Sequence, residues 1–331
     1  MIESAQVEAD EAGLRLDRWF KRRYPTLGHG LLEKLLRTGQ VRIDGKRAKA
    51  GDRLATGQAI RIPPQVHSIS PHEQQARPER PLSKADRSLI EGLVIHEDPS
   101  IFVLNKPSGI ASQGGSGVKR HIDGMLDGLQ GNKRQRPRLV HRLDRDTSGV
   151  IVVARTLPAA AALSESLRRR DARKIYWALT KGVPKPHRGV IKLALAKQGR
   201  DGRDERMTPV DASDGEGKAA TTYYAVMGTA AHHYAWVALR PVTGRTHQLR
   251  AHLAHIGTPI VGDIKYGGLA AKGLGELEDR LHLHARAIDI AHPDGGRLRA
   301  VAPLPPHMRH AWSLFGFDAD SQIDPFAEQR K

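Results

Sequence analysis

A chain of 331 residues is long enough for about two domains, each able to bury its own core. Lys and Arg outnumber Asp and Glu by 53 to 36, a formal charge of +17, which favours a polyanionic partner through phosphate neutralisation and counterion release. Cysteine is absent, which excludes disulfides and thiolate metal sites. No apolar run approaches the roughly 18 residues of a membrane span. The acidic start Met1-Ile2-Glu3-Ser4 also lacks the layout of a secretory signal, so a cytoplasmic protein with no membrane partner is expected.

Residues 1–62 read as a small module. Leu14, Leu16, Trp19 and Phe20 recur at helical spacing among Arg15, Arg18, Lys21, Arg22 and Arg23, and Pro25 ends that helix. A second helical pattern runs through Leu31, Leu32, Leu35 and Leu36 and stops at Gly39. Val41-Arg42-Ile43 alternates as a short strand, and Asp44-Gly45 is a hairpin signal. Further short strands are predicted around Leu54 and over Ile60-Arg61-Ile62. This stretch resembles the S-four-like (alpha-L) RNA-binding domain in Arg15-Leu16-Asp17, Leu35-Leu36-Arg37-Thr38-Gly39-Gln40-Val41 and Val41-Arg42-Ile43-Asp44-Gly45. Arg15, Arg18, Arg37, Lys46 and Arg47 are then its expected contacts to RNA phosphates, giving position rather than sequence readout. A solvated helix face with an ordinary charge stripe is the plainer alternative. The density of cations in two adjacent helices and in Lys46-Arg47-Ala48-Lys49 weighs against it.

Residues 63–88 hold Pro63, Pro64, Pro71, Pro78 and Pro81 among polar residues without periodicity, and read as a linker. A second domain is predicted over 89–315, with a C-terminal tail at 316–331. Ile101-Phe102-Val103-Leu104 and Val150-Ile151-Val152-Val153 suit buried strands, and Pro158 to Arg170 reads as a helix with proline in its first turn. Ile175 to Leu179, Thr221 to Val226 and Tyr234 to Leu239 are further strands. Thr246 to Ile256 is an amphipathic helix closed by Gly257. Strands and helices do not alternate regularly. The expected class is therefore α+β, with a mixed, largely antiparallel sheet beside the small α/β N-terminal domain.

His141-Arg142-Leu143-Asp144-Arg145-Asp146-Thr147-Ser148-Gly149 places two carboxylates and two guanidiniums directly before an apolar strand. If extended, it points Arg142, Asp144 and Asp146 one way. Charges at the start of a buried strand are costly unless paired, which suits a cleft. Spacing alone leaves a salt-bridged strand edge as an equal alternative. In Thr243-Gly244-Arg245-Thr246-His247-Gln248-Leu249-Arg250, a turn sets Arg245 just before a helix, and a surface arginine is the plain alternative. Gly114-Gly115-Ser116-Gly117 is not completed to a P-loop, and a turn near the site is expected there. His247, His252, His255, His282 and His284 lack thiolates or an HExxH arrangement and read as helix-face or core histidines, not zinc ligands.

Together with Val103-Leu104-Asn105-Lys106-Pro107-Ser108-Gly109, Lys174-Ile175-Tyr176-Trp177-Ala178-Leu179 and Gly262-Asp263-Ile264-Lys265-Tyr266-Gly267, these segments resemble the RluA family of pseudouridine synthases, nearest its RluC branch. The resemblance covers about 90–315 and implies a catalytic domain of the pseudouridine synthase type, acting as a monomer without cofactor or metal on 23S ribosomal RNA or a large-subunit precursor. In that chemistry the N1–C1′ bond of uridine breaks, the base turns, and C5–C1′ forms. By resemblance Asp144 is the reacting carboxylate, as nucleophile or base toward the ribose, and Arg245 is the cation that keeps it ionised. Tyr176 stacks on the uracil, and Arg142 fills the space left by the extruded nucleotide. Asp146 is expected to pair with Arg145 or cap a turn.

Three other readings compete. A neighbouring branch of the family acts on tRNA. A noncatalytic RNA-binding assembly factor would use the same basic module, yet has no need of Asp144, Tyr176 and Arg245. A glycoside hydrolase using Asp144 and Asp146 would lack a general acid, because the adjacent arginines hold both ionised.

Overall fold

The structure is a computed structural model that describes residues 3–24, 27–66, 82–115, 118–131, 135–199, 206–211, 217–273 and 275–327. The chain divides into two compact units, Met1–Pro81 and Leu82–Lys331. Pro25, most of the expected linker, Ser116, Gly117 and the last residues of the expected tail lie outside the described residues.

In the first unit, β1 (Glu3–Gln6), β4 (Ala59–Ile62), β2 (Arg42–Ile43) and β3 (Lys46–Arg47) form an antiparallel sheet in the order β1-β4-β2-β3. The hairpin between β2 and β3 turns on Asp44 and Gly45, both at positive φ (49° and 75°), as a two-residue I′ loop requires. Helices α1 (Leu16–Arg23) and α2 (His29–Arg37) bury Leu16, Trp19, Phe20, Leu32, Leu35 and Leu36 in one core with Ile60 and Ile62. Glu11 is buried beneath them, where it accepts from the Trp19 indole at 2.9 Å and pairs with Arg23 at 2.9 Å. Leu54 is buried as expected but lies in a loop rather than a strand, tied to Leu14 by its backbone N–H at 2.9 Å. Strand β1 was not anticipated.

The second unit begins with α3 (Lys84–Gly92), whose first turn is capped by the Ser83 hydroxyl accepting from the Asp86 N–H at 3.0 Å. The helix therefore starts inside the stretch expected to be linker. Next come β5 (Val94–Glu97), β6 (Ile101–Lys106), α4 (Ile122–Met125), β7 (Arg138–Leu139), β8 (Ser148–Ala154), α5 (Leu157–Arg168) and β9 (Arg173–Lys181). The second half holds β10 (Arg188–Gln198), β11 (Arg206–Val210), β12 (Lys218–Ala230), β13 (Tyr234–Pro241), α6 (Gln248–His255), α7 (Ile264–Gly267), β14 (Leu283–Ala291), β15 (Arg297–Val301) and α8 (Pro306–Leu314). Among the described residues the strands make one sheet in the order β11-β10-β12-β13-β9-β14-β8-β6-β5, with β15 beside β14 and β7 beside β8. Only the β14–β8 pair is parallel, so the class is α+β with a largely antiparallel sheet.

One face of this sheet packs Trp177 and Trp236 against Trp312 of α8, with Trp177 and Trp236 ring centres 4.6 Å apart. Phe317 and Phe326 join that cluster, so the expected tail is part of the core at least to Phe326. The other face packs Ala178, Val237 and Leu239 against Leu249 and Leu253 of α6. Every residue of β8 is buried, which makes it a rigid base for the segment preceding it. Where β8 runs beside β14, Gly149 has φ +112°, and a Cβ there would sit 2.2 Å from the Ala285 carbonyl oxygen. Only glycine permits that approach. No described helix is long and apolar enough to cross a membrane.

Candidate active site

The segment 141–147 enters β8 through a turn, not as extended strand: the Thr147 N–H donates to the Asp144 carbonyl at 3.2 Å. This breaks the alternation expected for Arg142, Asp144 and Asp146. Asp144 faces a cavity, while Asp146 pairs with Arg145 at 3.1 Å and is 41% exposed. The backbone on both sides of Asp144 is bolted to residues 106–112. The Ser112 hydroxyl donates to the Leu143 carbonyl (2.7 Å), and Ser108 donates to that of Asp146 (2.8 Å). The Gly109 N–H reaches the Arg145 carbonyl at 2.9 Å. Lys106, fully buried, donates to the carbonyls of Pro107 (2.9 Å), Ile110 (2.7 Å) and Arg145 (3.0 Å). Burial pushes the Lys106 pKa down to about 7 against the pull of Asp146 and Asp144, but three acceptors matched to three N–H groups call for the ammonium form.

The cavity opens where β13 parts from β9. Their pairing runs only as far as Tyr176 opposite Leu239, and beyond it the Pro241–Gly244 loop forms the facing wall. The cavity measures about 540 Å³. Arg142, Arg168, Arg170, Lys174, Arg245 and Arg250 line it, and Asp144 is the single carboxylate among its described residues. A space with that ratio of charges suits an anionic substrate with one acid reserved for chemistry.

Tyr176 projects from β9 into this space. Its phenol is pushed upward in pKa by burial and by the negative charge of Asp144, so it stays neutral beside the carboxylate. Helix α6 and the residue that caps it supply the basic groups. His247, at φ 49°, sets its Nε2 4.0 Å from Asp144 Oδ2 and its Nδ1 2.9 Å from the Tyr266 hydroxyl. Burial lowers the His247 pKa, with Asp144 opposing. Arg250 is buried and bidentate to Asp263 at 2.8 and 2.6 Å, and its guanidinium lies 5.0 Å from the Tyr266 ring centre. Burial acts against its charge, but Asp263 and Asp144 outweigh it and hold the guanidinium protonated.

Asp144, Tyr176, Arg142 and Arg245 thus line one cavity, but the pairing expected between Asp144 and Arg245 is not formed. The cause is the start of α6, two residues later than anticipated. Gln248 Oε1 accepts from both the Arg245 N–H (3.1 Å) and the Thr243 hydroxyl (2.7 Å), closing the turn. Arg245 Nε is left to donate to the Ala219 carbonyl at 3.3 Å. Arg250 and His247, later in the same segment, are the basic groups beside Asp144, and the sequence reading passed over both for this role. The available signal was Asp263, an acid able to orient a buried arginine. Arg142 is exposed at the rim.

In the first unit, Arg15, Arg18, Arg37, Lys46 and Arg47 are all exposed. Arg15 is paired with Asp17 at 2.7 Å, and Arg47 donates to the Arg37 carbonyl, so Arg18, Arg37 and Lys46 offer the freer heads.

A cationic cavity of about 540 Å³ built around one carboxylate and one tyrosine suits an enzyme acting on a phosphate-bearing substrate. Comparison with known proteins makes the class specific. Residues 100–255 match the family model described as RNA pseudouridylate synthase. RNA pseudouridine synthase 4, mitochondrial, of Arabidopsis thaliana is 35% identical over 94% of this chain and 81% of its own length. Ribosomal large subunit pseudouridine synthase C of Escherichia coli K12 is 35% identical over 92% of this chain and 93% of its own. The solved structure of human RNA pseudouridylate synthase domain containing 4 superposes with a TM-score of 0.58 at 30% identity, covering 70% of this chain and 97% of that one. The chain belongs to the RluA family and is an RNA pseudouridine synthase.

Proposed function

We propose that the enzyme isomerises specific uridines of 23S ribosomal RNA, or of its large-subunit precursor, with Asp144 as the reacting carboxylate. The observation that carries this reading is the placement of Asp144 as the one acid in a cationic cavity, beside the neutral ring of Tyr176 and the basic groups of His247 and Arg250. The likeness to the Escherichia coli large-subunit enzyme over nearly the full length of both chains supports the choice of RNA.

The target nucleotide leaves its stack, with Arg142 at the rim taking the vacated space and Tyr176 packing against the uracil. Asp144 acts at the ribose as the N1–C1′ bond breaks. The base turns, C5 bonds to C1′, and the proton on C5 is lost while N1 gains one, so no atom is gained overall. Arg250 keeps positive charge beside the carboxylate, His247 sets a ring nitrogen 4.0 Å from it, and Arg245 is available to the RNA at the cavity wall. Arg18, Arg37 and Lys46, with Arg15 and Arg47, give the first unit its phosphate contacts.

Purified enzyme is incubated with large-subunit rRNA from a strain lacking it, and pseudouridines are mapped. Wild type forms product, while Asp144→Asn binds the RNA and forms none. Equal product from both proteins removes Asp144 from its role. Product in tRNA alone reassigns the substrate.

A further inference from the structure

Lys174 stands apart from the machinery just described. It lies on β9 two residues before Tyr176, so both side chains leave the same face of the strand about 7 Å apart along the chain. Both line the catalytic cavity. Among the described residues no carboxylate lies within ion-pair distance of Lys174, and no acceptor within hydrogen-bond distance. Burial alone lowers its pKa, to about 8, with no contribution from Asp144, although Asp144 does act on Tyr176, His247, Lys106 and Arg250.

The ammonium group is therefore half-buried, faces the cavity and has no carboxylate partner among the described residues. A neighbouring group offers no relief. His141 Nε2 accepts from the Val152 N–H at 3.0 Å, which leaves its buried Nδ1 as a donor without a partner. Lys174 further disfavours a charge on that imidazole. A half-buried cation on a cavity wall with no acid partner favours an anion supplied from outside. Beyond Lys174 the same cavity wall continues through Ala172 to Arg170, whose positive φ of 61° turns the chain between α5 and β9.

We infer that Lys174 is the receptor for the phosphate adjoining the extruded uridine, with Arg170 continuing the track along the same RNA strand. This rests on the uridine-isomerising reading above: with the base at Tyr176 and the ribose at Asp144, the nucleotide's own backbone is the anion that must pass along this wall. Lys174 is a positioning residue. It acts on substrate placement, away from the bonds that change.

The test uses a short RNA around a uridine mapped as above, with either the native linkages or a neutral methylphosphonate on each side of the target in turn. Lys174→Met is expected to bind native RNA about tenfold more weakly, the loss of one charge-assisted contact, with kcat little changed. Its slope of log affinity against log salt becomes shallower by about 0.7. Lys174→Arg restores both, which a purely structural role for the lysine would not allow. One methylphosphonate weakens wild type as much as the Met substitution does, and weakens Lys174→Met no further. Full additivity between that linkage and the substitution, or an unchanged salt slope in Lys174→Met, overturns the inference. Failure of wild type to convert native RNA would instead sink the functional reading beneath it.

Discussion

Acid should unfold the catalytic unit through its core histidines. His252, His282 and His284 are fully buried, and burial holds their pKa values at about 4, about 4 and about 3. Neither ring nitrogen of His252 has a partner, and for His282 burial and the His307 ring, its centre 5.0 Å away, outweigh the contact with the Arg280 carbonyl. In the unfolded chain each titrates near 6.5. Below that pH the unfolded state takes up protons that the folded state refuses, so the stability present above 6.5 drains away as pH falls toward 4. At pH 5.5 the loss is about 1.4 kcal/mol for each histidine, about 4 kcal/mol for the three, against a typical total of 5–15 kcal/mol. Between pH 6.5 and 5.5 the other groups do not reverse the sign: burial also lowers His141, His247 and His307, which adds to the loss, while Lys106 and Lys174, at about 7 and about 8, are already largely protonated and carboxylates remain largely ionised. Urea unfolding at pH 7.5, 6.5 and 5.5 and constant ionic strength, followed by tryptophan fluorescence, reads the effect, since Trp177, Trp236 and Trp312 share a core cluster of this unit. A midpoint that holds steady from pH 6.5 to 5.5 would refute the argument.

Other perturbations follow from the same geometry. Gly149→Ala forces a Cβ to 2.2 Å from the Ala285 carbonyl at a φ of +112°, and should lower the thermal midpoint sharply; a midpoint like wild type's would show that β8 and β14 can part without penalty. Asp263→Ala leaves Arg250 buried and uncompensated, a loss of about 3–5 kcal/mol by denaturant titration, and it should depress pseudouridine formation as well. Recovery of activity without recovery of stability would separate the two effects. Deleting residues 1–62 should weaken rRNA binding and flatten its salt dependence while leaving the unfolding of the catalytic unit unchanged. An unaltered salt slope would mean that the module makes no phosphate contacts.

The features legible in the sequence are those whose cause is local. Helices α1, α2, α5 and α6 follow from apolar spacing, the β2–β3 hairpin from Asp44-Gly45, and β6 and β8 from uninterrupted apolar runs. Strands β1, β10, β11, β14 and β15 escaped notice because their identity depends on distant partners: Glu3 is a strand residue because Ile62 lies opposite it, and Ala285 because it sits between Tyr176 and Gly149. The site divides the same way. The motif order brings Asp144, Tyr176 and the Arg245–Arg250 segment to one cavity, but how the two arginines are held there depends on the Gln248 cap that closes the turn at Arg245 and on the Asp263 carboxylate that orients Arg250. Pairing also explains why Lys174 was overlooked. On the strand it is one basic residue before an apolar run, and only the structure shows that it faces the cavity with no carboxylate partner among the described residues. An unpaired charge points to its ligand by what the protein withholds, and here the protein withholds an anion one strand repeat from Tyr176.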